Sequence, residues 1–351
     1  MFVMTLTSET EVPAVPAAVR ELRELFLAAA WPAAIRAAAR LGVADALGDT
    51  PATAEQLARE TGADPGALRR LLRALSQRGV FVMEPDGRFS HSETSRLLTD
   101  GGPRSLRHMA LWATEPWTWE VWPRLEEAVR GGGDVFHALH GKDFFAYLHE
   151  DAPDSARVFD LAMTQASTLS ARQLSTVLDL TGVDTLVDVA GGQGQTLATL
   201  LQDHPGPRGV LFDLPSVVAH ADPRLTGDGP LATRCTLAAG DCRAGVPVEA
   251  DLYLLKNVLE WDDDSTVTTL RNVAEHARPG ARVVIVENLV DAGAEAGFTS
   301  AMDLLLLLNV GGKKHTRADL LSLVERAGLV VEEVRPVNAY LHMIVARADG
   351  R

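Results

Sequence analysis

A run of glycines and three aspartates in the second half of the chain have the types and spacing to do chemistry. In "LVDVAGGQGQTLATLL", residues 186 to 201, an apolar run of strand composition meets a glycine cluster and opens into a helix-like pattern. The dinucleotide fingerprint G-x-G-x-x-G fails here, because the third glycine position counted from Gly192 holds Leu197. The spacing that fits is D-x-x-G-G-x-G, with Asp188, Gly191, Gly192 and Gly194. Glycines at this spacing let backbone pass close against a ligand that need not carry a pyrophosphate. Asp213 ends the next strand-like run, in "LFDLP", just before Leu214. A carboxylate there suits two ribose hydroxyls. Asp241 ends a third run, "AAGDC", where it can accept from an adenine amine. A single loop acid is ordinarily a helix cap. Three at successive strand ends point to a nucleoside-bearing ligand.

These residues need a frame. From residue 183, short β-rich runs ("TLVDVA", "GVLFDL", "CTLAAGD", "DLYLLK", "ARVVIVEN") alternate with helical patterns or loops. That alternation predicts an open, mainly parallel α/β sheet, with "EEVRPV" and "YLHMIVARA" as a closing hairpin. Ligands in such sheets bind beyond the carboxyl ends of the strands, where the glycine turn lies.

The first part of the chain is different. Thr53 and Gln56 stand at capping-box spacing, and Asp64-Pro65 reads as an N-cap and first helical residue. Leu68, Leu71, Leu72 and Leu75 form one apolar stripe, and two β-like runs flank Pro85-Asp86-Gly87. Helix, helix, hairpin is the winged-helix order. Arg69, Arg70, Arg73 and Arg78 invite a DNA-binding reading. A dimerisation module with a solvated arginine face is the better one, because the chain has net charge −14. Trp112, Trp117, Trp119 and Trp122 crowd the next stretch and predict core, interface or a planar-ligand wall. The division expected is 1–110 winged-helix dimerisation domain, 111–180 helical linker contributing to a substrate pocket, and 181–351 catalytic domain.

The acidity argues against nucleic-acid and membrane partners. Cys235 and Cys242 have no second pair, so no disulfide framework and no metal site are expected. The opening "MFVMTLTSETEVPAV" lacks a basic region followed by a long apolar stretch, and "LLLLLNV" is too short to span a bilayer. A cytoplasmic protein is the expectation.

"LVDVAGGQGQ", "LFDLPSVV", "AAGD", "LLKNVLEWDDD", "VVIVEN" and "GGKKHT", in that order, resemble the S-adenosylmethionine-dependent small-molecule O-methyltransferases of plants and bacteria. The resemblance covers nearly the whole chain. It implies a homodimer, a class I methyltransferase Rossmann-like sheet and S-adenosylmethionine at the glycine turn. By it Asp213 holds the ribose, Asp241 the adenine amine, and Cys242 lies beside the adenine where relatives often have a bulkier residue. Lys256 stands near the cofactor's polar end and Trp261 near the cofactor. Met163 touches a flat substrate, with Trp112, Asn257, Met302 and Asn309 as further substrate contacts. Ala190 replaces a glycine common in the family.

The likeness breaks at the base. The family motif L-K-x-V-L-H-D-W-D-D supplies a histidine that removes the acceptor's proton. Here "LKNVLEWDDD" is one residue short before Trp261 and has no histidine; Glu260 falls closest to its place. Of the two acids flanking that histidine in plant relatives, Glu287 is matched, and the other position holds Lys314, expected as a solvated loop cation or, beside an anionic substrate, a partner for its carboxylate. Methyl transfer depends heavily on alignment, and a base typically adds ~10²–10⁴-fold, so the loss need not abolish it. Glu260 can serve as the base. His315, His108 or His140 can replace the histidine. The acceptor can be carbon or nitrogen, or the fold can retain the cofactor for hydroxylation, decarboxylation or cyclisation.

Overall fold

The computed structural model describes residues 15–102, 104–292 and 296–348; most of the opening segment read for an export signal, residues 1–14, lies outside the described residues. The chain divides into two compact units, Met1–Asp100 and Gly101–Arg351.

In the first unit, helix Ala54–Thr61 starts at Thr53 with both bonds of the capping box formed. Asp64 caps helix Pro65–Ser76 through Ala67 N–H at 2.8 Å. Leu68, Leu72 and Leu75 are buried on that helix. β1 (Phe81–Met83) and β2 (Phe89–His91) pair antiparallel, completing the winged-helix order. Two of the four arginines are turned to their own unit: Arg69 pairs with Glu55, and the Arg78 guanidinium lies 4.4 Å from the Trp31 ring centroid.

The second unit is built on a seven-stranded sheet of β3 (Thr185–Val189), β4 (Arg208–Asp213), β5 (Cys235–Ala239), β6 (Ala250–Lys256), β7 (Ala277–Asn288), β8 (Leu329–Pro336) and β9 (Leu341–Ala348). Its order is β5-β4-β3-β6-β7-β9-β8. β9 runs antiparallel to both neighbours, so the expected closing hairpin is present. β3, β4, β6 and the second half of β7 are almost wholly buried because helices cover both faces. Val187, Val189, Tyr253, Leu255, Val283 and Ile285 face helices Asp263–Glu275 and Arg317–Arg326. Leu186, Leu252, Leu254, Val284 and Val286 face helix Gln195–Asp203 and the end of helix Pro153–Val177. Strand order reverses at β3, which pairs with β4 on one side and β6 on the other; such a switch point opens a crevice at the carboxyl edge. Trp112, Trp117, Phe136 and Phe144 form a separate core with helix Ala296–Val310. Among the described residues no helix is long and apolar enough to cross a membrane.

Asp241 departs from its expected place: β5 ends at Ala239, and Asp241 sits in the turn beyond.

Thr53→Ala removes the side-chain half of the capping box and is expected to cost the first unit about 1 kcal/mol. Urea unfolding would show it as a lower midpoint with an unchanged slope.

Candidate active site

The glycine turn is tight because three things meet in it. A Cβ on Gly191 would come 2.6 Å from Asp188 Cγ and 2.8 Å from a Leu211 methyl. Gly194, at φ +85°, precedes helix Gln195–Asp203 and would drive a Cβ to 2.6 Å from Leu225. Gly192, at φ +62°, has open space where its Cβ would be. Ala190 keeps the turn but takes φ +50°, a conformation that costs an L-residue about 1–2 kcal/mol. The next strand's carboxylate ties the turn down. Asp213 Oδ2 accepts from Gly192 N–H at 2.7 Å, and Oδ1 accepts from Leu214 N–H at 2.6 Å. Burial pushes Asp213 above its ordinary value, against those two amides.

Asp188 is 1 % exposed, and its Oδ2 has no hydrogen-bond partner. Burial pushes it up to about 7, while nearby Lys256 opposes. Lys256 Nζ donates to Ser167 Oγ at a long 3.3 Å, and burial lowers its pKa against the pull of Asp188. An orphaned carboxylate oxygen and a sparsely bonded ammonium thus stand at one crevice, beside backbone with open space. That set fits the amino and carboxylate groups of a zwitterionic amino-acid end. The residues present therefore fit S-adenosylmethionine.

Past Lys256 the chain turns at Asn257, which has φ +52° and donates its N–H to Val286 O at 2.9 Å. Glu287 braces the turn. Its Oε1 accepts from Val258 N–H at 2.8 Å and Leu259 N–H at 3.0 Å. Its Oε2 lies 3.5 Å from Lys314 Nζ, and that ammonium also pairs with Glu260. Burial pushes Glu287 up to about 7, with Lys314 opposing. Lys314 corrects the expectation of a solvated loop cation: it is 7 % exposed. Burial works against its charge, but Glu260 and Glu287 outweigh it and hold the ammonium above the usual lysine value. The 311–315 loop is seated by backbone as well. Lys313 N–H donates to Glu260 O at 3.1 Å and Lys314 N–H to Asp303 Oδ1 at 2.6 Å. Gly312 has to be glycine, since a Cβ there would fall 2.0 Å from Glu260 O.

The structure gathers Asp188, Lys256, Glu260, Glu287 and Lys314, and sets His108 and His140 on helices Arg107–Trp112 and Phe136–His140. His315 is buried against the backbone of Leu259, the residue before Glu260. Burial lowers its pKa, and the charges it feels are Lys313, Asp263 and Asp319, outside that cluster. His108 shares two contacts with Gln165, at 3.0 and 3.1 Å. His140 lies 4.3 Å, centroid to centroid, from both Phe136 and Tyr147.

In the turn after β5, Cys242 is buried and its thiol is pushed up to about 12 by burial, so it stays protonated. Trp261 packs on the sheet core, and Asp262 caps helix Asp263–Glu275. On the aromatic side, Trp112 meets Phe159 edge-on at 6.4 Å, with Met163 and Met302 packed on the same cluster. Trp112 Nε1 and the Oδ1 of buried Asn309 have no partners. Sequence reading missed Ser167, which lies far away on helix Pro153–Val177, and Arg243, whose only signal is its place two residues after Asp241.

Asp188 also sets a pH dependence. An unfolded aspartate ionises near 3.8, whereas the folded one holds its proton to about 7. The folded state binds more protons across that window, so stability contributed by Asp188 falls as pH rises through it. Urea titrations from pH ~4 to ~7 should show a shallower fall for Asp188→Asn than for the native chain; parallel curves would refute the assignment.

Comparison with known proteins places the chain in a family. An O-methyltransferase domain matches residues 122–330, and an O-methyltransferase dimerisation domain matches residues 23–101. The chain is 38% identical over 341 residues to the mitomycin biosynthesis 6-O-methyltransferase of Streptomyces lavendulae, covering 96% of this chain and 97% of that one. It is 33% identical to the 8-amino-8-demethylriboflavin N,N-dimethyltransferase of Streptomyces davaonensis, over 90% of this chain and 91% of that one. Among solved structures it resembles the neocarzinostatin O-methyltransferase bound to S-adenosyl-L-homocysteine and 1,4-dihydroxy-2-naphthoic acid, with TM-score 0.76, 30% identity and coverage of 95% and 100%. With the glycine turn, its two strand-end carboxylates and the matched domains in place, the chain belongs to the O-methyltransferase family and is an S-adenosylmethionine-dependent methyltransferase.

Proposed function

We propose that this chain methylates a hydroxyl of a small aromatic, natural-product-like molecule, with Glu260 receiving the acceptor's proton. One observation carries the reading: Glu260 is the part-exposed member of an otherwise buried Glu260–Lys314–Glu287 triad at the carboxyl edge of the sheet. Bound at the glycine turn, S-adenosylmethionine supplies an electrophilic methyl group on a sulfonium sulfur. The chain's residues do the rest. Asp213 takes the ribose hydroxyls and Asp241 the adenine amine. Asp188 and Lys256 take the charged amino-acid end. Trp112, Met163 and Met302 give a flat apolar wall, with thioethers suited to an aromatic ring. The unpartnered Asn309 Oδ1 orients a substrate donor. Glu287 fixes the Val258–Leu259 backbone, and Lys314 holds the Glu260 carboxylate in place. His315 supports the loop rather than the chemistry.

Nitrogen methylation is the second reading. The triad sets two carboxylates against one ammonium, which favours an amine acceptor, and the relative from Streptomyces davaonensis is named as an N,N-dimethyltransferase.

The first unit serves a homodimer in this reading. Leu22, Leu25, Phe26 and Leu27 are exposed at 52%, 68%, 70% and 71%, an apolar surface suited to a second copy rather than to nucleic acid.

Two experiments test this. Incubation with methyl-labelled cofactor and a panel of phenols and aromatic amines should label a phenol, with S-adenosylhomocysteine forming in step; label on amines alone would favour the second reading. Glu260→Gln should lower kcat by roughly 10²-fold or more while cofactor affinity stays within a few-fold. An unaltered rate and pH profile would remove Glu260 from the proton's path. Separately, Gly191→Ala and Asp213→Ala should each weaken S-adenosylhomocysteine binding about tenfold or more by calorimetry, the first by steric conflict at Asp188 and the second by loss of a hydrogen-bonded anchor.

A further inference from the structure

The turn after β5 carries a residue that no motif assigns. Arg243 folds back over Asp241 and engages it three times. Its backbone N–H donates to Oδ1 at 2.9 Å, Nε donates to Oδ1 at 3.2 Å, and Nη2 donates to Oδ2 at 3.0 Å. The same guanidinium lies 5.6 Å from the centroid of the Trp261 ring, within cation–π reach. The backbone beneath is fixed from outside the turn. Asn272, on helix Asp263–Glu275, donates from Nδ2 to the carbonyls of both Cys242 and Arg243, each at 2.9 Å. The Arg243 side chain itself is 54% exposed and Asp241 36%, so the clasp closes a rim and not a core.

A carboxylate has about four acceptor positions, and the clasp uses three. One direction is left for a donor. A planar fork that grips both oxygens also stops the carboxylate from rotating, which a lone loop aspartate would otherwise do freely. Burial raises Asp241, and the bonds from Arg243 outweigh it and hold the carboxylate ionised below its usual range.

We propose that Arg243 is a positioning residue of the adenine subsite: it aims the remaining acceptor direction of Asp241 at the exocyclic amine and, with Trp261, closes that edge of the pocket. This rests on the assignment of Asp241 to the adenine end. Arg243 does not itself touch the reacting atoms. Its effect belongs to cofactor recognition, and specifically to the distinction between an amine and a carbonyl at that ring position.

The test compares two probes by calorimetry on the full chain: S-adenosylhomocysteine and its inosine counterpart, which carries a carbonyl where the amine stood. The native chain should prefer the adenosyl compound. Arg243→Ala should cut affinity for that compound about tenfold and for the inosine compound less than twofold, so the preference contracts. Arg243→Lys should restore only part, because an ammonium cannot fork across both oxygens. Equal weakening toward both probes would make Arg243 merely structural and overturn the proposal, as would no change toward either. If the native chain shows no preference, the adenine assignment of Asp241 falls and the proposal with it. Methyl-label transfer in the same preparation would then still leave the methyltransferase activity standing. An unchanged melting temperature for Arg243→Ala, expected for a half-exposed side chain, separates these results from loss of fold.

Discussion

A single ammonium, Lys314, buried between two carboxylates, holds the carboxyl edge of the sheet together. On one side is Glu260, at the end of the β6 turn; on the other is Glu287, on β7, which also caps that turn through two amides. Breaking a buried pair by removing one partner commonly costs 3–5 kcal/mol, because the remaining charge is left uncompensated. Two carboxylates depend on this one cation. The shape of the turn, the seat of the 311–315 loop and the orientation of Glu260 are therefore coupled. The sequence stretch where the family carries its histidine holds none here, and its Glu260 is ion-paired to Lys314.

The cofactor side obeys a related constraint. Asp188 is buried and Lys256 half-buried, and both are incompletely partnered within the described chain. Leaving polar groups unsatisfied in a core is expensive, and binding sites are where proteins tolerate that cost. The sheet makes it possible, since order reverses at β3 and its carboxyl end is not roofed by a neighbouring crossover. Strain accumulates at the same edge: Ala190 and Asn257 are the only non-glycine residues with positive φ among those described, and they follow β3 and β6 directly.

Much of this was legible in the chain itself. The capping box at Thr53, the N-cap at Asp64, the winged-helix order and the alternation that yields a mainly parallel sheet all follow from short-range spacing. The glycine turn was legible for the same reason: backbone that must approach another group admits little besides glycine, and the need shows at adjacent positions. Lys314 was misread because its partners are 54 and 27 residues away. A lysine in a Gly-Gly loop looks solvated until two distant acids are brought to it. Arg243 was overlooked because a salt bridge at i, i+2 leaves no periodic trace, and its second contact, Trp261, comes from another strand's loop.

The sequence by itself determined which segments become strands and helices, where the backbone must be bare, and that Asp213 ends its strand, because each is decided by neighbours within a few residues. Only the tertiary structure decided which charges share a site. It put His315 among Lys313, Asp263 and Asp319, and Lys314, its neighbour in sequence, between Glu260 and Glu287. The reason is physical: a charge's environment is set by whatever the fold packs around it, and burial strengthens interactions between residues that the chain keeps far apart.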